Sequence, residues 1–147
     1  MQPGYHRVYL EDHDVWVEQT STMRTSMYRF NYTTDSIPAI VMNLGGYVGT
    51  STMVGADVRR TSPRRFEGSF DTTGRLWGGP DKVKVYFVAE FDRDISRTDA
   101  WEGNCLTAGC DSLRATSSSV ARNEGMSYHD APEAGLKAVF GPPKARP

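Results

Sequence analysis

Apolar and polar residues alternate with period two along most of this chain, the pattern of strands that bury one face. Residues 5–10 (Tyr-His-Arg-Val-Tyr-Leu) form the first such segment, residues 11–14 a polar turn, and residues 15–20 the returning partner. Residues 24–32 alternate again, with Met27 opposite in phase to Tyr28 and Phe30. Residues 37–44 are more continuously apolar, as expected of a strand buried on both faces, with Pro38 at its entrance, where a missing donor does least harm. Further strands are expected over residues 52–58, 65–70, 82–90, 113–120 and 135–140.

An apolar i, i+3, i+4, i+7 pattern never persists long enough to predict a helix. Short strands separated by Gly, Pro, Asn and Asp turns point instead to an all-β fold, an antiparallel β-sandwich. Residues 92–112 and 122–132 are polar or aperiodic and read as loops, and the Pro-rich stretch 141–147 reads as a linker or tail. The expected organisation is one domain over residues 1–140 followed by that tail. A chain of 147 residues suits a single core.

Charge narrows the function classes. The net charge is −1 and the two signs are interspersed, which argues against a nucleic-acid face or electrostatic attraction to a membrane. No apolar stretch approaches the ~20 residues of a membrane helix, and residues 1–7 hold no apolar core of a signal peptide. Cys105 and Cys110 stand in one Gly-bounded segment. A loop disulfide and two free thiols are both open readings, whereas a zinc site would need two more ligands and the histidines are distant in sequence.

Few residues suggest chemistry. Glu11, Asp12 and Asp14 with His13 could offer oxygen ligands to a cation, but turn residues of this kind are favoured for backbone reasons alone. Asp71, Asp81, Glu90 and Asp92 are carboxylates of the type that glycosidic chemistry uses in pairs, and the sequence favours no pair among them. His6, His13 and His129 lack any nucleophile or metal motif, and Arg59-Arg60 with Arg64-Arg65 make a short basic turn without aromatic interleaving. The sharpest surface candidate is Arg75-Leu-Trp77-Gly78-Gly79, where two glycines let an indole approach another surface closely. Trp101 is a second aromatic in a polar stretch, and Trp16 alternates with Val15 and Val17. Both loop tryptophans fit packing or a domain interface as well as sugar stacking.

The order Pro3-Gly-Tyr-His-Arg-Val-Tyr-Leu-Glu-Asp12, then Val15-Trp-Val-Glu-Gln-Thr-Ser-Thr22, then Tyr28-Arg-Phe30 resembles glycoside hydrolase family 92. Residues 40–45, Gly68-Ser69, residues 74–80, residues 85–91 and Trp101 extend the match collinearly over nearly the whole chain. Gln19, Ser21 and Met27-Tyr28 depart from the family pattern. The resemblance implies the N-terminal sandwich, of galactose-mutarotase-like supersandwich type, of a calcium-dependent, inverting exo-α-mannosidase. In that family the sandwich packs on an (α/α)6 helical domain that supplies the general acid and base. On this reading the chain holds no catalytic residue and no assigned metal ligand, and it is inactive alone. The strands and glycine-rich segment that usually come first would be missing, leaving the sheet truncated at its N-terminal edge. Its partners would be the helical domain and mannose-containing glycans, calcium would belong to the full-length enzyme, and the location would be extracellular or periplasmic. The Arg75, Trp77, Gly78, Gly79 and Trp101 positions would contact sugar or the catalytic domain. A stand-alone carbohydrate-binding module using Trp77 and Trp101 is the alternative, and a purely structural sandwich a third.

Overall fold

The computed structural model describes residues 4–34, 36–48, 51–73, 82–117 and 133–142. Among these the elements are twelve strands and one 3-10 turn. The chain divides into two compact units, Met1–Pro38 with Pro142–Pro147, and Ala39–Gly141.

The first unit is an antiparallel meander of β1 (Tyr5–Leu10), β2 (Val15–Ser21) and β3 (Ser26–Tyr32), in that order across the sheet. The polar turn expected between the first two strands is the 3-10 turn Glu11–His13. Asp14 closes it with a φ of 48°, a left-handed conformation that Asp tolerates better than most residues, and its N–H donates to the Glu11 carbonyl. One face carries the rows Leu10–Val15–Tyr32 and Val8–Val17–Phe30. The other carries Tyr9–Trp16–Asn31 and Arg7–Glu18–Arg29. On that polar face Glu18 is a hub: it pairs with Arg7 and Arg29 and accepts a bond from Tyr5 Oη. Arg7 lies over the Trp16 ring, which also abuts Tyr9. The Glu18 bond, more than burial, raises the Tyr5 phenol above its ordinary value, and the Asp14 carboxylate does the same for Tyr9.

The second unit is a β-sandwich. One sheet has the order β10-β9-β12-β4, built from β4 (Ala39–Asn43), β9 (Ile95–Glu102), β10 (Cys105–Ala108) and β12 (Ala134–Phe140). The other has the order β11-β6-β7-β8, built from β6 (Ser51–Ser62), β7 (Arg65–Thr73), β8 (Lys82–Glu90) and β11 (Ser112–Thr116), with β5 (Tyr47–Val48) paired to β6. Every pairing is antiparallel. Met53, Ala56, Val58, Phe66 and Ala115 face inward from one sheet and meet Ile95, Ala100, Leu136, Ala138 and Phe140 from the other. An aromatic bridge spans this core: the Phe66 and Phe91 rings meet edge to face at 5.5 Å, and Phe91 meets Phe140 at 5.3 Å. Phe91 opens the crossover from β8 to β9. The Phe91 N–H donates to the Arg64 carbonyl and the Ile95 N–H to that of Pro63, so the crossover is pinned to the β6–β7 turn.

Three expectations need correction. Residues 92–112 are not a loop but contain β9 and β10, and β9 lies between β10 and β12. Its sequence hides this, because Thr98 points into the core while Asp99 is buried on the opposite face. The apolar run at 37–44 is not buried on both faces: β4 pairs only with β12 among the described residues, and Val41 is exposed. The basic turn is largely strand, since β6 runs on through Arg59 and Arg60, which lie opposite Glu67 and Phe66. Of the expected strand 113–120, Ser112–Thr116 is observed, and the expected loop 122–132 lies outside the described residues.

Candidate functional site

The outer face of the β11-β6-β7-β8 sheet is built by alternation. With Met53, Ala56, Val58 and Phe66 inward, the intervening Gly55, Asp57 and Arg59 of β6 and Glu67, Ser69 and Asp71 of β7 turn outward. Register then sets three rows across the strands: Thr116–Gly55–Asp71–Lys84, Arg114–Asp57–Ser69–Tyr86 and Ser112–Arg59–Glu67–Val88. Two adjoining recesses of about 280 and 420 Å³ occupy these rows and share Asp57 and Ser69. The first and third rows lie four residues apart along β8, so the groove is on the order of 14 Å long.

Charged pairs fix its walls. Arg114 donates from both Nε and Nη2 to Asp57 Oδ2, at 2.8 and 2.6 Å. Lys84 Nζ stands 3.5 Å from Asp71, and Glu67 is shared by Arg65 and Arg59. Gly55 leaves room for Asp71, whose Oδ2 would lie 3.3 Å from an added Cβ. Tyr86, 76% exposed, offers a ring at the β8 rim. Such a face presents fixed donors, fixed acceptors and one aromatic plane, the combination that a neutral, hydroxyl-rich ligand can use.

Catalysis is another matter. Asp71 lies opposite Lys84 and Glu90 opposite Arg65, six residues along β8, so those two carboxylates are roughly 20 Å apart. Carboxylates that flank a glycosidic bond stand about 5–9.5 Å apart. Asp57 and Asp71 are closer neighbours, but each is paired with a cation and open to water, without the apolar surroundings of a general acid. Among the described residues no group of three His, Cys, Asp or Glu side chains could hold a metal ion.

The opposite sheet seats Trp101. On its outer face run the rows Leu106–Trp101–Gly135–Asn43 and Ala108–Asp99–Lys137–Val41. A Cβ on Gly135 would lie 2.6 Å from Trp101 Cη2, so the bare glycine is the seat of the indole. Leu106 and Val41 are exposed nearby. Asp99, only 3% exposed, accepts from the Gly109 N–H and from the Arg97 guanidinium. Burial pushes its carboxyl up, but the Gly109 bond, Arg97 and the Lys137 charge outweigh this and hold it below the ordinary value. Its contribution is therefore present above pH 3.8, the ordinary value, and is lost as pH falls through the lower folded value. Asp99→Asn should lower stability at pH 7 by about 1.5–3 kcal/mol, with the gap to wild type in urea midpoints closing in acid.

A sequence model of the glycosyl hydrolase family 92 N-terminal domain matches residues 1–141. The chain belongs to this family. No curated protein matches the chain.

Of the candidate positions in this family 92 domain, Arg75, Trp77, Gly78 and Gly79 lie outside the described residues. Trp101 belongs to the sheet opposite the groove. Cys105 and Cys110 are free thiols. The basic residues 59–65 are occupied structurally: Arg60 donates to the Ser62 and Ile95 carbonyls, and Arg64 pairs with Asp94. His129 and Asp81 lie outside the described residues, and the Glu11–Asp14 turn is exposed. The groove residues Asp57, Ser69, Tyr86 and Arg114 were not singled out from sequence. Their only signal is polar residues at alternate positions, which acquires meaning once strand register is known.

Proposed function

We propose that this family 92 domain is the non-catalytic sandwich of an enzyme that hydrolyses α-mannosides, and that it packs on a helical domain carrying the acid and base. The match over residues 1–141 carries the proposal. The outer face around Trp101, Leu106 and Val41 supplies apolar area for the partner domain. The purified chain, assayed with calcium against an aryl α-mannoside, should show no turnover. Supplied in trans, a family 92 helical domain should bind it, and Leu106→Asp should weaken that complex. Turnover by the isolated chain that a single carboxylate substitution abolishes would sink the proposal.

One observation favours a second reading, a glycan-binding module: the groove with its paired charges and exposed Tyr86. In that case Asp57→Ala should abolish binding of an oligomannoside in calorimetry while circular dichroism stays unchanged. Trp77→Ala should do the same if that indole stacks on the sugar.

A further inference from the structure

Strand β8 pairs with β7 and with no other strand among the described residues. It is nine residues long and has no proline, and its pairing to β7 runs from Lys82 to Glu90 without a bulge. Short length, proline and bulges are three of the means by which sheet edges avoid pairing with other chains, and β8 has none of these; the charges it does carry are Lys82 and Lys84 near one end and Glu90 at the other. Its apolar side chains are also left half covered. Val83 and Val85, on the core side, are 40% and 37% exposed, and Val88 on the outer side is 56% exposed.

The strand reads Lys-Val-Lys-Val-Tyr-Phe-Val-Ala-Glu, and it complements itself when reversed. Turned about a two-fold axis through Tyr86, Lys82 falls opposite Glu90 of the second copy, and Glu90 opposite Lys82 of the second copy. Val83 then meets Ala89, Val85 meets Phe87, and Tyr86 meets Tyr86, each across the axis. This register keeps core-facing residues with core-facing residues, as a continuous sheet demands. A slip of one residue would mix the faces. Of the two slips by two residues, one sets Lys82 opposite Val88 and loses both charge pairs, and the other exchanges them for Lys84–Glu90 pairs while leaving Lys82 beyond the partner strand.

We propose that two copies of this chain associate by antiparallel β8–β8 pairing about Tyr86, joining their β11-β6-β7-β8 sheets into one. The interface is isologous, so each contact is made twice. Main-chain hydrogen bonds supply the association, and the Lys82–Glu90 pairs fix the register. The two outer grooves then lie side by side across the axis, with the two Tyr86 rings at the centre. The proposal is independent of any catalytic partner.

The test is sedimentation velocity on the full chain over a concentration series, with circular dichroism melting as the folding control. The wild type should form dimers. Lys82→Glu and Glu90→Lys should each weaken association roughly tenfold, since two attractive cross-strand pairs become repulsive. The double variant K82E/E90K should regain it. In a Cys105→Ser/Cys110→Ser background, K82C/E90C should cross-link on mild oxidation into a covalent dimer, whereas K82C alone should not, its two sulfurs being eight residues apart along the strands. A monomeric wild type at every concentration, or a dimer indifferent to both charge reversals, would overturn the proposal. So would cross-linking of K82C alone.

Discussion

Gly135→Val should destabilise the chain by on the order of 3 kcal/mol or more, enough to remove most folded protein from a domain of ordinary stability. Gly135 is buried on β12 between two paired strands, and an added Cβ would collide with the Met42 carbonyl and with the Trp101 ring, 2.6 Å from Cη2. Neither obstacle yields easily. The carbonyl belongs to the backbone of β4, and the indole rests on the sheet itself. Trp101→Ala removes one obstacle and leaves the other, so the double variant W101A/G135V should not recover wild-type stability. Urea unfolding of the single and double variants measures this, and a Gly135→Val midpoint within error of wild type would show that the strands can part at this point.

Phe66→Ala should cost about 3–5 kcal/mol. The side chain is fully buried on β7 and meets Phe91 edge to face, and Phe91 in turn meets Phe140 on the opposite sheet. Truncation leaves a cavity where the β8–β9 crossover is fastened, which the backbone bonds from Phe91 and Ile95 to the β6–β7 turn prevent from closing. Phe91→Ala should cost less, because Phe91 is only partly buried. Urea midpoints at unchanged slope give both values, and equal losses would mean that the bridge has no buried centre.

Strands whose faces differ sharply in polarity were legible from sequence. Tyr5–Leu10, Val15–Ser21 and Lys82–Glu90 fall where the alternation put them, to within a residue. Ile95–Glu102 was not legible, because its inward residues include Thr98 and its buried Asp99 is satisfied by a neighbouring arginine and a turn N–H. Small residues on the adjacent strand, Ala134, Gly135 and Ala138, give that strand a close neighbour without an apolar run of its own. The groove was illegible for a different reason. Asp57, Ser69 and Arg114 are distant in sequence and become one surface only through register, which a single sequence does not specify. Trp101 was seen as an aromatic worth testing, but its seat on Gly135 depends on the same register.

The groove face also has a kinetic consequence. Arg59, Arg65, Lys82, Lys84 and Arg114 stand among Glu67, Asp71, Asp57 and Glu90, five against four, so their fields nearly cancel within a few ångströms of the sheet. Such a surface exerts little pull on a distant ion. Whatever arrives there comes by unguided diffusion, and its association rate should hold nearly constant as salt is raised, while charged competitors gain no advantage from dilution of the medium.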